Sequence, residues 1–174
     1  HVDERMAAMM KDKNPKLTVV DWTPAGDALL VQYGEPDRWD RGLSRLDLRT
    51  KTLTGLVRDN GVYQGFRLSR DGSTVVFQKS DGTRPAEVFA ADASFKSVRK
   101  LTDLNPWMAA KALPVSELVS YRDADGKVLY GVLRYPVGYQ EGKQYPTVFE
   151  IYETFFDNGF NGRAAFLAGQ GYAV

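Results

Sequence analysis

Between Val19 and Leu104 the apolar residues fall into short, strand-length runs, and the arrangement occurs twice. The stretch "VVDWTPAGDALLVQY" (19–33) aligns with "YQGFRLSRDGSTVVFQ" (63–78). Each copy is an aromatic or apolar strand, a small-polar turn containing glycine, and a β-branched strand. Val75 and Phe77 alternate with Val76 and Gln78, as in a half-buried antiparallel strand. A third strand follows in each copy, "LSRLDLRT" (43–50) and "AEVFAADA" (86–93), and then a fourth, "LTGLVRD" (53–59) and "VRKLTDL" (98–104). Asp71-Gly72 and Asp81-Gly82 are expected to supply the positive φ that tight hairpin turns need. Four short antiparallel strands every roughly 40–50 residues predict about two blades of a β-propeller. A pair of similar meanders in a sandwich is the alternative. Two blades do not close a ring, which takes typically about 4–8.

The rhythm changes after "DLNPWMAAKALP" (103–114). "SELVSYRDADGKVLYGVLRYP" (116–136) reads as a hairpin around Asp125-Gly126, and "YPTVFEIYE" (145–153) as a buried strand after a solvated loop. "GRAAFLAGQG" (162–171) reads as a helix ended by Gly169 or Gly171, and "YAV" restarts a strand. Strand, helix and strand in this order begin an α/β sheet. The fold expected is therefore mostly β: blades over residues 1–110, then the N-terminal part of an α/β domain over 111–174. The sheet looks broken off just as it starts. Residues 1–16 fit neither blade, and Arg5–Lys13 is open between a short helix and the tail of a preceding blade.

Composition narrows the function classes. Of the 174 residues 23 are Lys or Arg and 22 are Asp or Glu, so neither nucleic acid nor a membrane surface is an expected partner. The absence of Cys excludes disulfide and thiolate chemistry, and no apolar run approaches the roughly 20 residues of a membrane span. Because the chain begins at His1, the lack of a visible signal peptide leaves periplasm and cytoplasm both open. No serine sits in a G-x-S-x-G elbow and His1 is the only histidine, so nucleophile, acid and base of a hydrolytic triad are not expected within this chain. No metal is expected either, since Asp123 and Asp125 lack the further ligands of a calcium loop. No cofactor is expected. Asp37 and Asp40 alternate with Arg38 and Arg41 around Trp39, a solvated loop that also has the makings of a ligand contact. Tyr152 sits at the carboxyl end of its expected strand, where α/β sheets gather their chemistry; a phenol there either donates to a developing oxyanion or is an ordinary, half-wet strand-end tyrosine.

From Leu17 to Val174 the sequence resembles the prolyl oligopeptidase family of serine peptidases, which includes dipeptidyl and acylaminoacyl peptidases. The ordered series "ELVSYRDADGKVLYGVLRYPVGY", "YPTVFEIYE" and "FLAGQGYAV" carries the resemblance. It implies propeller blades running into a hydrolase domain, cut before the nucleophile, acid and histidine. It also implies that Tyr152, six residues after Pro146, is an oxyanion stabiliser; the adjacent Glu153 is a separate candidate, as a substrate-binding carboxylate. Many members have His-Gly-Gly or Tyr-x-Gly where this chain has Glu153-Thr154. The implied substrate of the full-length protein is a short peptide. The implied partner is the remainder of the hydrolase domain or another chain. The competing reading is a non-catalytic propeller module that binds other proteins.

Overall fold

The computed structural model describes residues 16–34, 41–151 and 157–174. Two four-stranded antiparallel sheets come first. One runs in order through β1 (Lys16–Trp22), β2 (Ala28–Gly34), β3 (Arg41–Asp47) and β4 (Leu53–Asp59). The other runs through β5 (Val62–Leu68), β6 (Thr74–Ser80), β7 (Glu87–Asp92) and β8 (Val98–Lys100). These are the two expected blades, meandering in sequence order as an open, partial propeller. β8 is shorter than "VRKLTDL", although Leu101 N–H still bonds Val88 O just beyond its end. Residues 1–15 and 35–40 lie outside the described residues, and with them His1, Asp37, Trp39 and Asp40.

The repeat extends to individual hydrogen bonds. In the first blade Thr23 N–H reaches Ala28 O, Gly26 N–H reaches Thr23 O, and Thr23 Oγ1 accepts from Ala28 N. In the second, Ser69 N–H reaches Thr74 O, Gly72 N–H reaches Ser69 O, and Ser69 Oγ accepts from Thr74 N. A hydroxyl residue opens each turn, and a glycine with φ +68° at Gly26 or +74° at Gly72 closes it. Only a residue without Cβ takes that conformation without strain. Asp81-Gly82 departs from the expectation: Gly82 is not in the left-handed region. Asp81 itself turns the chain, its Oδ1 accepting from Thr83 N and Arg84 N.

Tertiary packing joins the blades face to face. Leu30 and Leu43 of the first meet Tyr63, Phe66, Val75, Phe77 and Ala91 of the second in one buried cluster. β6 alternates as its sequence predicts, with Val75 and Phe77 inside and Val76 and Gln78 outside. β2 does not alternate. Leu30 faces the second blade, while Leu29 and Val31 join Leu46 in a separate cluster, so the run "ALLV" is buried on both sides. A strand covered on both faces reads as continuous apolar sequence.

Two blade turns are organised by carboxylates held well below their usual range. Asp71 is lowered to about 2 by hydrogen bonds from the Ser69 hydroxyl and then from Ser73, and Asp92 to about 2 by those from Ser94 and then Ser97. Both are more acidic folded than unfolded. Their contribution is therefore complete above the unfolded value near pH 4 and is lost as pH falls through about 2. Melting curves between about pH 5 and about pH 2 should fall less steeply for an Asp71→Asn, Asp92→Asn double variant. Equal slopes would remove these turns from the acid response.

The third part begins with a 3₁₀ turn at Pro106–Ala110. The hairpin of β9 (Ser116–Arg122) and β10 (Val128–Arg134) follows, as expected. Next to it a further strand order is built. Arg134 and Val174 exchange both backbone hydrogen bonds, and Thr147 forms a parallel bridge with Ala173. Segment 172–174 thus lies between β10 and segment 146–148. The helix α1 (Gly162–Gly169) makes the crossover between the two parallel segments; Asn161 caps it by accepting from Ala164 N, and its buried Ala164 and Ala168 let it pack closely. The α/β start is present, but over the described residues 145–151 the segment expected as a buried strand is not buried throughout. Pairing in this segment is confined to the bridge at Thr147, and Phe149 and Ile151 are 83% and 91% exposed. The segment is bonded to 172–174 along one edge, and no described residue covers those two side chains. Among the described residues no helix is long and apolar enough to cross a membrane.

Candidate functional site

Tyr152 and Glu153, the two expected site residues, fall within residues 152–156, outside the described residues. The chain on either side of them is described, and its anchoring defines the candidate site. On the upstream side Glu150 pairs with Arg163 in the first turn of α1, Nη1 to Oε1 3.3 Å. On the downstream side Asp157, Asn158 and Gly159 are each anchored before α1.

Each of these three residues is held by a different element. Asp157 Oδ2 lies 3.5 Å from Arg41 Nη2 at the start of β3, in the first blade, and its Oδ1 accepts from Gly159 N at 2.9 Å. Asn158 is 3% exposed, and its Oδ1 accepts from the hydroxyl of Ser116, the first residue of β9, at 2.6 Å. The carbonyl of Gly159 accepts from Arg134 Nη2, at the end of β10, at 2.9 Å. The second blade closes against the same point. A Cβ added at Gly82 would lie 2.6 Å from Asn158 Oδ1 and still closer to Ser116 Oγ. This close approach, and not backbone conformation, is why glycine stands there. Gly82→Ala should therefore cost about 1–3 kcal/mol, as overpacking does, read as a lower denaturant midpoint. An unchanged midpoint would show that Ser116 and Asn158 yield freely.

Arg134 is the electrostatic centre of the site. It is 6% exposed, and burial lowers its pKa, while Glu150 and Asp157 oppose that shift. The guanidinium stays charged, since arginine does not lose its proton in proteins. It therefore faces a carboxylate on each side of residues 152–156. Its Nε has no hydrogen-bond partner among the described residues. None of these groups is a nucleophile with an adjacent base. Among the described residues no three His, Cys, Asp or Glu side chains gather as a metal site would require. The arrangement holds residues 157–159 against β3, β9 and β10.

Sequence reasoning missed Arg134, Asp157 and Asn158 and assigned Ser116 no role. Two signals were present. An arginine closing the apolar run "VLYGVL" is out of character for a strand edge, and "DNG" between Phe155-Phe156 and Phe160 is a turn with more polar capacity than a turn needs.

The sequence matches no family model and no curated protein. Solved structures are similar in fold. The AtxE2 isopeptidase with Astexin3-dC4 bound superposes with a TM-score of 0.70 at 21% identity, over 86% of this chain and 24% of that one. Porphyromonas gingivalis dipeptidyl peptidase 4 gives 0.66 at 18% identity, over 94% of this chain and 24% of that one. Pyrococcus horikoshii acylaminoacyl peptidase gives 0.59 at 19% identity, over 84% and 22%. This chain spans about a quarter of the length of each of them. Two propeller blades followed by a hairpin and an α/β crossover give the chain the fold of the corresponding quarter of the prolyl oligopeptidase family peptidases.

Proposed function

We propose that this chain is the part of a serine peptidase of the prolyl oligopeptidase family in which the propeller passes into the catalytic domain. Residues 1–110 are the last blades, and residues 111–174 begin an α/β-hydrolase domain. The observation that carries this reading is the interleaved order of the third part, where 172–174 enters between β10 and 146–148. A propeller that only binds partners has no use for a parallel crossover. The similarity to peptidases over 84–94% of the chain supports the same reading.

In this role the complete enzyme cleaves short peptides by acyl transfer. A serine oxygen adds to the peptide carbonyl, the carbonyl oxygen takes the negative charge, and the amine leaves with a proton supplied by the histidine. Water then releases the acyl group. The serine, its acid and its histidine come from outside these 174 residues. This chain contributes the phenol of Tyr152, which donates to the oxyanion, and Glu153, which binds substrate. The blades limit access to short peptides.

Labelling tests the reading directly. A serine-directed fluorophosphonate should leave the 174-residue chain unlabelled and without turnover of a chromogenic peptide, because loss of triad members typically costs several orders of magnitude in rate. A polypeptide extended through the rest of the sheet should be labelled stoichiometrically at one serine. Labelling of any serine within the 174 residues, or none in the extended protein, overturns the proposal.

A further inference from the structure

β8 ends at Lys100, yet the chain stays bound to the second blade as far as Leu104. Leu101 N–H makes the last backbone bond, to Val88 O at 2.8 Å. Side chains then take over. The Thr102 hydroxyl accepts from Val88 N at 2.9 Å and donates to Glu87 Oε2, and Glu87 Oε1 accepts from Leu104 N at 2.9 Å. Lys100 Nζ lies 3.7 Å from Glu87 and 2.6 Å from Asp103, and Arg84 lines the same small cavity. Apolar burial does little of this work. Leu101, Leu104 and Trp107 are exposed, and Met108 is the buried residue of the 3₁₀ turn that follows. A segment with so few buried apolar contacts opens locally at low free energy. Glu87, in contrast, is buried at the start of β7, and a buried carboxylate is costly unless its oxygens are bonded. Both of them are bonded to the departing chain.

From this geometry we infer that Glu87 is an acid-sensitive latch on residues 101–104, the path by which the chain leaves the second blade for the β9–β10 hairpin. The latch acts whatever reaction the full-length protein performs. Its release follows from the groups that face it. The Thr102 hydroxyl, then Leu104 N and the charge of Lys100, hold the Glu87 carboxyl below its usual range, against burial and the charge of Asp103. Arg84 keeps its charge throughout. Because Glu87 is more acidic folded than unfolded, its grip is complete above the ordinary glutamate value and is lost as pH falls through the lowered one. A protonated oxygen becomes a donor, so it no longer accepts from Thr102 or Leu104 as the carboxylate does.

Hydrogen exchange of single amides in the full chain, read by NMR, tests this. At neutral pH Glu87→Ala should speed exchange of the Leu104 amide by about 10- to 100-fold, the equivalent of one hydrogen bond to a charged group. The amides of β6 should change far less, since the opening is local. In the parent, protection of Leu104, corrected for intrinsic exchange, should fall more steeply than that of β6 as pH drops from about 6 to about 3, and in Glu87→Ala that difference should vanish. Thr102→Val keeps the shape and deletes the hydroxyl; it should speed Leu104 exchange by about 5-fold, less than Glu87→Ala because the bond from Leu104 to Glu87 remains. Unchanged Leu104 exchange in Glu87→Ala, equal acceleration of Leu104 and β6, or a parent pH profile no steeper than the variant's overturns the inference. Should Glu87→Ala not fold, Thr102→Val and the parent's Leu104 profile against β6 decide by the same criteria.

Discussion

Under the proposed function, Tyr152→Phe in the full-length protein is expected to lower kcat by about 10- to 1000-fold, up to the size of a lost oxyanion donor. The substitution removes one hydroxyl and keeps the ring. The ground-state carbonyl carries little negative charge, so a phenol directed at it contributes little to substrate binding. The tetrahedral intermediate carries a full charge on that oxygen, and there the donor acts. The loss should therefore fall on kcat, with KM little changed. Stability should move by less than about 1 kcal/mol, because the change deletes one hydroxyl and a single hydrogen bond contributes about that much net. Steady-state kinetics beside a melting curve on the same protein decides the matter. Unchanged kcat with a large drop in melting temperature would make Tyr152 an ordinary structural tyrosine.

The blades were legible because their information is local. Thr23 and Ser69 open matching turns, Gly26 and Gly72 close them, and the flanking strands alternate within a few residues of each other. Gly82 looked like another such turn, but the reason for glycine there is Ser116 and Asn158, which no local pattern reveals. The same limit explains the segment at 145–153. "PTVFEI" has the composition of a buried strand, yet burial is set by which strands lie beside it and what covers its faces, and Phe149 and Ile151 remain open. Arg134 and Asn158 were illegible for a related reason. A buried polar residue is recognised by its partners, and Gly159 and Ser116 lie 25 and 42 residues away in sequence. The resemblance pointed to Tyr152, whereas the elements that anchor the chain beside it emerge only from the three-dimensional arrangement.

Phe77→Ala should be the most damaging single substitution in the blades. The ring is 2% exposed at the centre of the cluster that joins them. It lies 5.4 Å from Phe66, 5.5 Å from Phe95, 5.7 Å from Tyr63 and 5.8 Å from Phe89, centroid to centroid. Truncation to alanine removes the transfer energy of a buried ring and leaves a cavity. Its walls are strands tied by ladder hydrogen bonds on both sides, Phe77 pairing with Phe89 across β6 and β7. Such walls relax little, which places the cost at about 3–5 kcal/mol. For a chain of this size that corresponds to a melting temperature lower by roughly 6–20 °C. Natural domains are stable by only about 5–15 kcal/mol, so a large share of the folded population is at stake. Phe149→Ala supplies the control. It deletes the same ring from a side chain that is 83% exposed, and it should change stability by no more than about 0.5 kcal/mol. Denaturant unfolding of the two variants beside the parent measures both numbers with one method. A Phe77→Ala loss under about 1 kcal/mol would show that the surrounding strands collapse onto the space and that this ring does not anchor the cluster.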